Sequence, residues 1–385
     1  MSSPNSDKRP ADELGGVDDV VSTTSKKPRS TLQPKLQRPS NDNVPVNVYM
    51  AGGTVFGINN GHYLLPAIQG QKIKDICWMM SSTATRGDEF TGKEAYILFS
   101  NGKLVQWGKG QEQWHDVCHQ HRKISKSPFL TSVAQVACGY HHAAAVKTDG
   151  SVWTWGYENQ YGQLGREPAK ATGTLFPPSK VDALGTSPIH QVACAVGATF
   201  ALNECGQVFS WGSHHTGETG QGKDFGFDPE PKLIHLPPAK QISACCAHAG
   251  ALTTDGKVYA WGMLLLNCSE DDGRTTGNDD SDDEEEEFEY ITSPTLVEGE
   301  LQGKIVKQLD SGTSEMGALT VDGSCYMWGD GPVENGGYPG YKSGFQPASM
   351  TKWFPKDLSN CKIASIAIGG YHAVFLTTNG EVLVG

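Results

Sequence analysis

The chain has 385 residues, a net charge of −12 and 37% apolar residues. No apolar run approaches the ~18 residues of a membrane span, and the start, MSSPNSDKRP, lacks the apolar core of a secretory signal. The 46 glycines and modest apolar content suit many short strands and tight turns rather than long helices.

Residues 1 to about 45 read as a disordered polar tail, rich in Pro, Ser, Asn, Asp and Lys and without apolar periodicity. Lys26, Lys27 and Arg29 form a basic cluster of the kind read as a nuclear-import signal on a flexible arm. From residue 46 the pattern changes. Val46 to Ile68 holds a short strand at Tyr63-Leu64-Leu65 and a half-length motif, Thr54-Val55-Phe56-Gly57. A first irregular hairpin follows, opening at Ile73 to Trp78, interrupted by a polar insertion from Ser81 to Glu94, and ending AYILFSNGKLVQWG at Gly108.

The stretch from Val136 to Gly165, VACGYHHAAAVKTDGSVWTWGYENQYGQLG, is the most regular. It predicts strand, connector, strand, turn and strand. Asp149-Gly150 is read as a type I′ turn, and Val152, Trp153, Thr154 and Trp155 supply the return strand. The same design recurs as FALNECGQVFSWG at Gly212, GALTTDGKVYAWG at Gly262, GALTVDGSCYMWG at Gly329 and AVFLTTNGEVLVG at Gly385. Closing glycines are 48 to 67 residues apart, a period that means a propeller or a repeat array. Six hairpins are expected, turning at Gly102, Gly150, Gly206, Gly256, Gly323 and Gly380.

One insertion breaks the period. Residues 270–289 contain twelve Asp or Glu and only Arg274, so the segment at about 268–290 is predicted to be an unstructured, self-repelling loop. It accounts for most of the net charge and leaves the body near neutral. With no basic stripe, the body is not read as a nucleic-acid binder. The loop itself reads as a solvated insert, or as an electrostatic contact for a basic partner such as histones.

Apolar strand, Gly-x-x-His, Leu-Thr-x-Asp-Gly, Val-Tyr-x-Trp-Gly and Gly-Gln-Leu-Gly together resemble the repeat of the regulator of chromosome condensation family, over roughly residues 50 to 385. The resemblance implies an all-β fold, a β-propeller of four-stranded blades and usually seven of them. The chain stops at Gly385 with no outer strand after it, so the seven-blade type with one blade incomplete is expected. Residues 46–385 are then one domain. The family includes an exchange factor for the small GTPase Ran that sits on chromatin, and many scaffolds. The exchange factor carries acidic residues in the connectors before the repeat histidine and a wedge after an early blade. Here only Glu315 is acidic among those connectors, and Gly156 to Gly165 is too short for a wedge. A non-catalytic protein-interaction propeller, nuclear or chromatin-linked, is therefore the favoured reading, with guanine-nucleotide exchange on a Ran-like GTPase as the alternative.

His142, His248 and His372 share one register, but residues on separate blades stand far apart, and a structural hydrogen-bonding role outweighs a metal site. Trp107, Trp155, Trp211, Trp261 and Trp328 are read as inter-blade packing rather than a stacking platform. Cys138 and Cys194 share a repeat position in apolar strands and are expected to be buried free thiols. No phosphate-binding loop, nucleophile elbow or zinc-protease motif occurs, so no cofactor, metal or catalytic residue is expected. Partner-facing candidates are the connector residues Tyr140, His141, Glu315 and Tyr371, because loops on a rigid scaffold are free to carry contacts.

Overall fold

A computed structural model describes residues 49–51, 62–64, 72–80, 93–107, 129–170, 175–223, 225–263, 290–313, 315–329, 348–349, 361–369 and 373–384. The basic cluster at Lys26, Lys27 and Arg29, the half-length motif ending at Gly57, the acidic stretch 270–289, and Tyr371 and His372 lie outside these residues.

The strands form antiparallel meanders in chain order. A pair, β1 (Tyr49–Ala51) and β2 (His62–Leu64), comes first. The first blade is β3 (Ile73–Met80), β4 (Lys93–Phe99) and β5 (Leu104–Trp107). The second is β6 (Val133–Cys138), β7 (His142–Lys147), β8 (Val152–Gly156) and β9 (Phe176–Lys180). The third is β10 (Ile189–Cys194), β11 (Ala198–Asn203), β12 (Val208–Ser213) and β13 (Phe227–Ile234). The fourth is β14 (Ala239–Cys245), β15 (His248–Thr253), β16 (Val258–Gly262) and β17 (Ile291–Leu296). The fifth is β18 (Val306–Ser311), β19 (Glu315–Thr320), β20 (Cys325–Gly329) and β21 (Ala348–Ser349). The sixth is β22 (Ile363–Ile368), β23 (Ala373–Thr377) and β24 (Val382–Val384). The first strands of successive blades pack on one another, from β3 through β6, β10, β14 and β18 to β22. This is the propeller arrangement that the repeats predict.

All six turn glycines have positive φ, from 78° at Gly102 to 87° at Gly256. The turn type differs from the expected one. Gly150 N–H donates to Lys147 O at 2.9 Å, and Lys147 N–H donates to Ser151 O at 2.9 Å. The turn is therefore a type I turn followed by a left-handed glycine that forms a bulge, and Asp149 does not need positive φ. Asp149 Oδ1 instead accepts from the Ser151 amide at 3.0 Å and the Ser151 hydroxyl at 2.6 Å. The sixth copy also departs from the pattern. Leu376 pairs with Val382 as Val146 pairs with Val152, so Val384 stands in the place of Thr154. The closing-glycine position of the other copies falls beyond Gly385.

The core lies between blades. Trp155, Trp211 and Trp261 are fully buried and Trp328 nearly so. Trp211 Nε1 donates to Gln163 O of the preceding blade at 3.0 Å, and Trp261 Nε1 to Glu218 O at 2.9 Å. A second set of ties was not foreseen. Each inner strand slips register by one residue, and the residue after the slip is Gln135, Gln191, Gln241 or Gln308 in blades two to five. Gln191 Nε2 donates to Ile242 O at 2.8 Å, while its Oε1 accepts from Ile242 N–H at 2.9 Å. Gln135 clamps Val192 in this way, Gln241 clamps Leu309, and Gln308 clamps Ile366. A primary amide offers a donor and an acceptor at once, so it substitutes for the strand pairing that splayed inner strands cannot make.

Candidate functional site

In an antiparallel meander, the connector between the first two strands and the loop between the last two leave from the same end of the blade. That end gathers residues 139–141, 195–197 and 246–247 with the loops 157–170 and 214–226. Backbone bonds lock connector to loop: Tyr157 N–H donates to His141 O at 2.7 Å, Ser213 N–H to Gly197 O at 2.8 Å and Met263 N–H to Ala247 O at 2.9 Å. Val196 N–H donates across a blade boundary to Cys246 O at 2.7 Å. The end is thus a braced surface and not a set of independent loops.

Beneath it runs the repeat-histidine register, one position at the start of each second strand. His142 is fully buried, with Nε2 2.7 Å from Thr199 Oγ1 in the next blade. The Thr199 hydroxyl donates its only proton to Gln163 O at 2.8 Å, so His142 Nε2 carries a proton and donates to Thr199. Burial pushes His142 down to about 3 and His248 down to about 4, and both are neutral at physiological pH. The same register holds Glu94 and Glu315. By sequence Glu94 ends the polar insertion that starts at Ser81. It is buried, accepting from Tyr157 Oη at 2.7 Å, Gln106 Nε2 at 2.6 Å and Tyr96 Oη at 3.1 Å. Burial raises both tyrosines, with the Glu94 charge adding to the shift, and keeps them protonated as donors. Counting eight residues back from the turn glycine finds Glu94, a signal the sequence does contain.

Glu315 corrects an expectation. Its residue is only 4% exposed, and its Oε2 lies beside Gly312, where an added Cβ would come within 3.1 Å. It opens β19 in the register of His142 and is part of the blade wall, not an exposed connector acid. Tyr140 and His141 do lie on the connector end, half-buried, with ring centroids 6.1 Å apart. His141 Nε2 stands 3.9 Å from Glu158 Oε1. In the β8–β9 loop of the same blade, Tyr161 packs edge-on against His215 of the third blade at 5.2 Å and near Phe227 at 6.4 Å. Phe227 is 44% exposed and Phe225 72% exposed, and Phe225 holds a left-handed φ of 60°. A bulky side chain in that conformation is uncommon, and two exposed phenylalanines so close in sequence make an apolar patch of the kind that marks interaction sites. Phe225 and Phe227 stand where the loop meets β13 and carry no repeat signature, while Tyr161 adjoins the Gly-Gln-Leu-Gly motif, which signals a loop and not an aromatic contact. The neighbouring Gly217-x-x-Gly220 repeats Gly162-x-x-Gly165 and marks the loop as a blade connector.

Cys138 also differs from its expected state. It is paired with Cys77 as a disulfide between the first two inner strands, with Cα atoms 5.7 Å apart. Cys194 is a buried free thiol, pushed up to about 12 by burial. Among the described residues no group of three or more His, Cys, Asp or Glu is placed to hold a metal ion.

Family models for the regulator of chromosome condensation (RCC1) repeat match residues 133–163 and 149–202. Residues 133–202 thus carry regulator of chromosome condensation repeats. The chain is 31% identical over 301 residues to RUG3, a mitochondrial RCC1 domain-containing protein of Arabidopsis thaliana, covering 74% of this chain and 63% of that one. It is 29% identical over 297 residues to the human E3 ubiquitin-protein ligase HERC2, covering 74% of this chain and 6% of HERC2. It thus spans less than two thirds of either relative's length. Among solved structures, human WBSCR16 superposes with a TM-score of 0.58 at 20% identity, covering 89% of this chain and 83% of that one. Prp20p of Saccharomyces cerevisiae, described with its binding to Gsp1p and histones, gives 0.54 at 23% identity, covering 73% and 66%. At these identities the superpositions show a shared repeat propeller and nothing finer.

Proposed function

We propose that this RCC1-repeat propeller is a non-catalytic interaction scaffold that takes protein partners on its connector end. The observation that carries the reading is the exposed aromatic group Phe225 and Phe227, beside Tyr161, on a surface braced from blade to blade. Aromatic anchors on a rigid frame are the common energetic centre of protein interfaces. Tyr140 and His141 extend the same end. Histones and Ran-like small GTPases are the partner classes to test, since Prp20p is described as binding Gsp1p and histones. The second reading is nucleotide exchange on a Ran-like GTPase. Both register acids described, Glu94 and Glu315, are buried in blade walls, which favours the scaffold reading.

Purified protein should retain histones or a Ran-like GTPase on affinity capture without accelerating nucleotide release. The paired substitution Phe225→Ala and Phe227→Ala should cut capture about tenfold or more. Accelerated release of bound nucleotide would replace the scaffold reading with the exchange-factor reading. Nuclear placement is proposed from Lys26, Lys27 and Arg29. Replacing all three with alanine should move a fluorescent fusion out of nuclei, and an unchanged distribution would remove the import role.

A further inference from the structure

The junction between the first and second blades is built unlike the four that follow it. After the register slip in β3 stands Asp75, where blades two to five carry glutamine. A carboxylate has no N–H to give the next blade's carbonyl. Asp75 Oδ1 instead accepts from its own neighbour, Ile76 N–H, at 2.8 Å. The Val136 carbonyl that a glutamine at this place would reach accepts one bond from Gln135 Nε2 of its own strand, at 3.0 Å, and its second lone pair can still accept from a glutamine at position 75. Among the described residues, this is the junction that carries a disulfide. Cys77 pairs with Tyr96 as Ala137 pairs with Ala144, so Cys77 occupies the place of Ala137. One blade on, the same approach is made without a second sulfur, with Cys194 Sγ 3.7 Å from Ala137 O. Both Cys77 and Cys138 are only half-buried, which leaves them open to reagents.

We propose that the Cys77–Cys138 pair is a redox-operated clasp that holds the first blade to the second where the glutamine clamp is missing. On reduction by a dithiol the S–S bond breaks, each sulfur gains an electron and a proton, and the reductant's two thiols close into their own disulfide. The junction keeps Lys74 Nζ to Ala134 O at 2.6 Å and Tyr157 Oη to Glu94 at 2.7 Å, so reduction loosens the first blade without detaching it. The later junctions hold by glutamine and do not respond. The first blade is thereby set apart as the movable one.

The test is hydrogen exchange on the purified full chain, oxidised and then treated with dithiothreitol. Peptides covering 73–80 and 93–107 should exchange about tenfold faster after reduction, while those covering 189–213 and 239–262 stay unchanged. Cys77→Ser should exchange fast in both conditions. Asp75→Gln in that background should restore slow exchange by installing the missing clamp. Absence of a 77–138-linked peptide in non-reducing mass spectra of the oxidised protein would overturn the proposal. So would an equal response in all blades, no response in the wild type, or failure of Asp75→Gln to restore protection.

Discussion

Burial holds His142 at about 3 and His248 at about 4, against 6.5 for a free histidine. Between these values and 6.5 the unfolded chain takes up protons that the native chain refuses, so stability is full above about pH 6.5 and is lost as pH falls toward 4. At pH 5 each histidine contributes up to about 2 kcal/mol of that loss. The double variant His142→Gln and His248→Gln should therefore show a smaller fall in Tm from pH 7.5 to 5 than the wild type. An equal fall would mean the imidazoles are not kept neutral. Asp310 works in the opposite direction. Burial pushes it up to about 6 from 3.8, although Ile368 N–H donates to its Oδ2 at 2.8 Å. A raised carboxyl favours the native state at low pH, and that contribution disappears as pH rises through about 6. Asp310→Asn should raise Tm at pH 7.5 and change it little at pH 4, as read by thermal melts.

The hairpins were legible because Asp-Gly and Asn-Gly turns, β-branched return strands and a closing Trp-Gly are local signals. Their energetics differ by neighbourhood. A Cβ on Gly150 would lie 2.6 Å from Pro188 Cβ, whereas one on Gly380 would meet nothing within 4 Å, and both glycines have φ near 80°. Gly380→Ala should then cost only the backbone term of about 1 kcal/mol. Gly150→Ala should cost more, because the next blade must also shift. Denaturant titration of the two variants decides it, and equal losses would contradict the packing argument. The glutamine clamps were illegible for a physical reason. The glutamine of VAQVAC, or the His-Gln pair of IHQVAC, looks like the solvent side of a half-buried strand. Only the repeat spacing of Gln135, Gln191, Gln241 and Gln308, which matches that of the closing glycines, sets them apart. Gln191→Ala should leave Ile242 N–H and C=O without partners and cost about 1–3 kcal/mol in the same titration. A loss within error would show that water replaces the clamp.

At the scale of the whole molecule, ties between neighbouring blades bear the structure, and one end of the propeller gathers the connectors. The repeat made the propeller and the inter-blade role of the tryptophans readable. It also pointed to the connector end through Tyr140 and His141. It misassigned Glu315, because an acid in a connector position reads as exposed until the strand that it opens is seen to be buried on both sides. Phe225 and Phe227 carry no repeat signal, and their exposure is visible only in three dimensions. The central claim, that partners dock on the connector end, is tested most directly by a hydrogen-exchange footprint of the full chain with and without histones or a Ran-like GTPase. The account predicts protection confined to residues 139–141, 157–161 and 213–227, and no change at the opposite turns around Gly102, Gly150, Gly206, Gly256, Gly323 and Gly380. Protection centred on those turns, with the connector end unchanged, would contradict it.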